Sequence, residues 1–131
     1  MAGATFHGMD PWKLDGGLME CYGTGLGFVD LHNESDFLEV QVVPGPDADL
    51  LLRLMFRQLS TGSEFELSFA AVSGLRVEQL EYHSSDASLF HDASHVPDSS
   101  GWSAFEIELA AMRMEFRASR VEFRSSTRIG T

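Results

Sequence analysis

Glu64-Phe65-Glu66-Leu67-Ser68-Phe69 alternates polar and apolar side chains without a break. A period of two puts Phe65, Leu67 and Phe69 on one face of a β-strand and Glu64, Glu66 and Ser68 on the other, so one face rests on a core. Upstream, Ser60-Thr61-Gly62-Ser63 has the composition of a hairpin connection. It leads back to Leu50–Gln58, with Leu50, Leu52, Leu54 and Phe56 on one side and Leu51, Arg53, Met55 and Arg57 on the other. Apolar residues on both sides predict a central strand. Phe37–Val43 alternates as well, with Leu38, Val40 and Val42 expected to face the core, until Pro44-Gly45-Pro46-Asp47 turns the chain. Downstream, residues 70–82 fit a short helix (Val72, Leu75, Leu80) or a further strand (Leu75, Val77), and Gly74 interrupts both. Phe105, Ile107 and Leu109, then Met112, Met114 and Phe116, then Val121 and Phe123 form later apolar sets. Their parity changes near Ala110-Ala111 and near Ala118-Ser119, which requires a turn or bulge at each. The expected fold is mainly β, either all-β or a β-rich α+β. It is a single curved antiparallel sheet or small sandwich of about six to eight strands, with at most one or two short helices.

The 131 residues make one domain, 1–131. Residues 1–36 hold 7 of the 12 glycines and read as loops with one or two short elements, including a strand near Leu26–Leu31. Residues 83–101 are rich in Ser, Asp and His and read as a long polar loop. With 9 Lys plus Arg against 20 Asp plus Glu the net charge is −11, which opposes nucleic acid and anionic membranes as partners. No apolar run reaches the length of a membrane span. No secretory signal is visible, and one free cysteine fits a cytoplasmic protein. Five arginines, Arg113, Arg117, Arg120, Arg124 and Arg128, lie in the last 21 residues. They are expected to neutralise acidic neighbours within the sheet; the other reading is an arginine face for an anionic ligand.

Reactive machinery is not evident. Gly23-x-Gly25-x-Gly27 lacks the lysine of a phosphate loop, there is no Gly-x-Ser-x-Gly elbow, and Cys21 has no cationic neighbour to activate it. The pairs Glu64/Glu66 and Glu106/Glu108 fall on outward strand faces. The expectation is a protein that is not an enzyme and carries no cofactor. An acidic exterior suits a basic protein partner, which it would attract and occlude. Asp86, Asp92, Asp98 and Trp102 are the expected contacts, with Glu64, Glu66, Glu106 and Glu108 behind them. Trp12 reads as core packing at a sheet edge or as a further contact. Two other classes stay open: a binder of a metal or small ligand through His91, Asp92 and His95, and a structural subunit that forms a homodimer through strand edges.

The order of Leu31-His32-Asn33-Glu34-Ser35, then Leu50 to Phe56, then Phe65-Glu66-Leu67-Ser68-Phe69-Ala70-Ala71-Val72-Ser73-Gly74-Leu75, then Phe105 to Leu109 and Met112 to Phe116, resembles a set of small β-rich bacterial proteins of unknown function. Some members of that set resemble immunity proteins of polymorphic-toxin systems. The likeness covers about two thirds of the chain and departs at Asn33, where the set more typically has Asp. It implies a sheet-based fold and inhibition by masking a toxin, and it implies no catalytic residue.

Overall fold

A computed structural model describes residues 3–12, 20–79, 90–99, 101–109 and 112–126. Among them every regular element is a strand, so the fold is all-β and the helix considered for 70–82 is not formed in 70–79. The strands are β1 (Thr5–His7), β2 (Glu20–Thr24), β3 (Gly27–Asp30), β4 (Ser35–Pro44), β5 (Leu50–Gln58), β6 (Glu64–Gln79), β7 (Phe90–Ser99), β8 (Trp102–Leu109), β9 (Met112–Ala118) and β10 (Arg120–Ser126). No helix among the described residues is long and apolar enough to cross a membrane.

Eight strands form one curled sheet. Six follow the order β1-β10-β6-β9-β8-β7, and β5 with β4 branches from β6. The pairings are antiparallel except β1 with β10, which is parallel. The branch exists because β6 serves two half-sheets. Its first part pairs with β5 and β10 (Leu67 opposite Leu54 and Phe123), and its last part with β9 (Val77 opposite Met114). Between them the register shifts twice, against β5 near Ala70-Ala71 and against β9 near Gly74-Leu75. Ala71 sits at φ 57° and Gly74 at φ 63°. Bulges of this kind bend a strand, and here they carry β6 from one half-sheet to the other. The β9–β10 break at Ser119 is the matching bend on the neighbouring strand, at the place where apolar parity demanded one.

The core lies between the half-sheets. Phe69 of the first half stands edge-on to Phe105 and Phe116 of the second, at centroid distances of 5.2 and 5.1 Å. Within the first half Phe65 stacks between Phe56 (5.1 Å) and Phe123 (5.0 Å). The N-terminal segment closes one side: Trp12 is buried against Phe6, Phe69 and Phe105, and the Ala4 N–H donates to Ser103 Oγ at 2.9 Å. The separate β2–β3 hairpin sends Cys21 and Val29 into the same core. Burial drives the Cys21 thiol up to about 12, so the thiol is inert packing.

Two sequence expectations need correction. The polar segment 83–101 is not one loop: residues 90–99 form β7, a full partner of β8. Leu38 and Val42 are not core residues but are 41% and 46% exposed. A register shift between Phe37 and Glu39 breaks the alternation at Leu38, so Phe37 packs inward in its place, while Val40 packs inward as expected.

Candidate functional site

The outer faces of the half-sheets hold nearly all of the arginines and many of the carboxylates. On the first half the charges alternate across strands. Arg53 donates to Glu66 through Nε (3.0 Å) and Nη2 (2.6 Å) and to Gln41 Oε1 through Nη1 (3.1 Å). Ser68 Oγ also donates to Glu66, at 2.5 Å. The Arg53 bonds hold the Glu66 carboxyl below its ordinary range. Glu122 receives Arg124 at 3.0 Å and Arg120 at 3.6 Å, and Arg57 lies 3.5 Å from Glu64. Arg53, Arg57, Arg120 and Arg124 thus meet Glu64, Glu66 and Glu122, the neutralising arrangement expected of Arg120 and Arg124.

The second half is built differently. Its outer face carries Glu78, Asp92, Asp98, Glu106, Glu108 and Glu115 with only Arg76, Arg113 and Arg117 among the described residues. Asp92 stands directly opposite Glu108, and Glu106 directly opposite Glu115. Like charges in facing positions of an antiparallel pair repel. One guanidinium, Arg113, is shared among Glu108 (3.2 Å), Glu78 (3.3 Å) and Glu106 (3.6 Å). Arg76, 82% exposed, reaches Glu115 only at 3.9 Å. A shallow depression of about 380 Å³ crosses this face, lined by Val96, the Glu106/Glu115 pair, the small residues around Gly74 and Ala104, and the arginines Arg76 and Arg117. Val96 is 58% exposed. At the hairpin end Arg117 donates to both oxygens of Asp98 (2.6 and 3.1 Å), and its guanidinium lies 5.1 Å above the Trp102 ring.

The expected contact residues therefore divide. Asp92, Asp98, Trp102, Glu106 and Glu108 share this one face. Asp98 and Trp102 are tied to Arg117, while Asp92 is exposed and accepts from the Ala93 N–H at 2.8 Å. Glu64 and Glu66 belong to the other half, and Glu66 is committed to Arg53 and Ser68. Asp86 lies outside the described residues, as does Arg128.

Of the expected metal ligands, Asp92 and His95 leave β7 on opposite faces. His95 is buried, edge-on to Phe6 and stacked on Phe105, both at 5.4 Å. The His91 side chain lies outside the described residues. Among the described residues no three His, Cys, Asp or Glu side chains converge as a metal set would.

Sequence reading missed Glu115, Val96 and the exposed aromatics Tyr22 and Phe28. Pairing Glu106 with Glu115 needs only the assumption that Phe105–Leu109 and Met112–Phe116 form a tight hairpin, which the two-residue gap allows. Comparison with family models, with curated proteins and with solved structures finds no match for this chain.

Proposed function

We propose that the protein is a non-enzymatic interaction module that masks a basic protein with the outer face of β6–β9–β8–β7, an action of the kind exerted by immunity proteins. The observation that carries this reading is the facing of like charges, Glu106 with Glu115 and Asp92 with Glu108. A surface that retains such pairs forgoes stability that one arginine at either position would supply. Cationic side chains of a partner would supply the missing countercharge, and the depression with exposed Val96 would receive their apolar stems. Long-range attraction would speed the encounter, and desolvation of the carboxylates against the partner's cations would hold it.

The test is capture of a basic protein from source cells at low salt, followed by titration against the wild type and a Glu106→Gln/Glu115→Gln variant. Affinity that falls steeply with salt, and about tenfold in the variant, supports masking. The reading fails if a captured partner binds equally at high salt or to the variant, or if no basic protein is retained.

A further inference from the structure

The stretch between Lys13 and Arg53 holds eight carboxylates and neither lysine nor arginine. Four of the seven large apolar side chains exposed among the described residues also fall there: Tyr22, Phe28, Leu38 and Val42. Tyr22 and Phe28 come together on the outer face of the β2–β3 hairpin, with ring centroids 5.1 Å apart. They are 47% and 46% exposed. Beside them, on the same face, Glu20 stands opposite Asp30. The Tyr22 hydroxyl donates to Glu20 Oε1 at 3.3 Å, which draws that carboxylate towards the ring.

The platform is held in place. Cys21 and Val29, on the other face of the hairpin, are fully buried. In the turn, Thr24 Oγ1 donates to the Gly27 carbonyl at 2.5 Å and accepts from the Leu26 N–H at 3.0 Å, and Gly23 and Gly27 take positive φ. The Asp30 carboxylate accepts from the His32 and Asn33 N–H groups at 3.0 and 2.9 Å. Partial burial works against its charge, but these bonds outweigh it and hold the carboxyl below its ordinary range. Two π faces lie beside two carboxylates; Asp30 is held by His32 and Asn33, whereas Glu20 has the 3.3 Å Tyr22 hydroxyl bond and no lysine or arginine from the same stretch.

We infer that the outer face of the β2–β3 hairpin receives an arginine side chain of a basic polypeptide, its guanidinium lying over the Tyr22–Phe28 rings and its N–H groups directed at Glu20. A planar guanidinium stacks on an aromatic face and pairs a carboxylate through a fork of donors, whereas an ammonium offers a strongly hydrated point charge. The hairpin therefore prefers arginine to lysine. This surface lies apart from the carboxylates of β6–β9–β8–β7, and the inference stands whether or not that face masks a partner.

The experiment is an NMR titration of the full chain with acetyl-Gly-Arg-Gly-amide and its lysine and citrulline counterparts. Citrulline keeps the planar shape and removes the charge. The arginine peptide should give saturable shifts confined to the amides of residues 20–30 and the Tyr22 and Phe28 ring protons, with lysine about threefold weaker and citrulline without effect. Phe28→Leu, which keeps apolar bulk and removes the π face, should weaken binding about fivefold, and Glu20→Gln about threefold. Glu106→Gln/Glu115→Gln should leave it unchanged, so that failure here and failure of the masking face are read separately. Hairpin shifts that do not saturate, equal response to citrulline, or unaltered binding by Phe28→Leu would overturn the inference. Should Phe28→Leu disturb the hairpin spectrum itself, Tyr22→Phe, which keeps both rings and frees Glu20, must still bind arginine within about threefold of the wild type.

Discussion

The two half-sheets share a strand and a core, yet their outer faces obey opposite rules. On β4–β5–β6–β10 the carboxylates of Glu64, Glu66 and Glu122 each meet an arginine across or along the strands, with Arg53–Glu66 the shortest pair. On β6–β9–β8–β7 carboxylate faces carboxylate, and Arg113 is spread over three of them. Sheet propensity does not account for the difference, since both faces use the same residue types on the same kind of ladder. Charge placement alone separates a surface whose carboxylates face arginines from one on which carboxylates face each other.

The strongest way to break the comparison is through what the halves share. Phe69 contacts Trp12, Phe105 and Phe116 and so joins both halves to the N-terminal segment. Phe69→Ala should cost about 3–5 kcal/mol, from lost burial and the cavity left behind. Urea unfolding followed by tryptophan fluorescence and by amide signals from each half should shift to the same lower midpoint. Two separate midpoints would mean that the halves are independent units.

A smaller effect tests the settled face. Glu66→Gln keeps the side-chain shape and removes the charge held by Arg53, and should destabilise by about 1 kcal/mol near neutral pH. Because Arg53 lowers the Glu66 pKa in the folded protein, this contribution is present above the ordinary carboxylate value of 4.5 and disappears as pH falls through the lower folded value. The difference in urea midpoint between wild type and variant, measured from pH 7 down to pH 3, should shrink towards zero.

The smallest effect has the opposite sign and sharpens the contrast most. Glu115→Gln, the same chemical change on the unsettled face, should stabilise by about 0.5 kcal/mol by relieving its repulsion with Glu106. A double-mutant cycle with Glu106→Gln should show the two gains to be less than additive, and added salt should erase them. Destabilisation by Glu115→Gln would show that the like-charge pair is not under strain.

Legibility in the sequence followed how many faces of a strand are buried. Phe65, Leu67 and Phe69 are readable because one face is core and the other, Glu64, Glu66 and Ser68, is polar along the whole run. Leu52, Leu54 and Phe56 were readable for the same reason, and the mixed opposite face marked β5 as central. Residues 70–79 were ambiguous because the strand bends at Ala71 and Gly74 and loses its covering partner, so burial no longer keeps a period of two. β7 was read as loop because its outer face is acidic surface and its core contribution among described side chains is only Ala93 and His95. For the site, the acidic members Asp92, Asp98, Glu106 and Glu108 were named from sequence, but their opposition was not, because facing pairs depend on a register that composition does not contain. The Tyr22–Phe28 pair is not legible because glycines hide the five-residue strand that holds Tyr22, so the strand expected near Leu26–Leu31 has no visible partner to place Phe28 beside it.

β6 has one more implication. Sixteen residues long, it supplies hydrogen bonds to β5, β10 and β9 and belongs wholly to neither half. No cut within it leaves two pieces that each own a complete edge, so the domain offers no seam at which recombination could trade one charged surface for another. Diversification of the acidic face must proceed by substitution at outward positions, and the outward positions of β8 and β9 can change sign without asking anything of the phenylalanines beneath them.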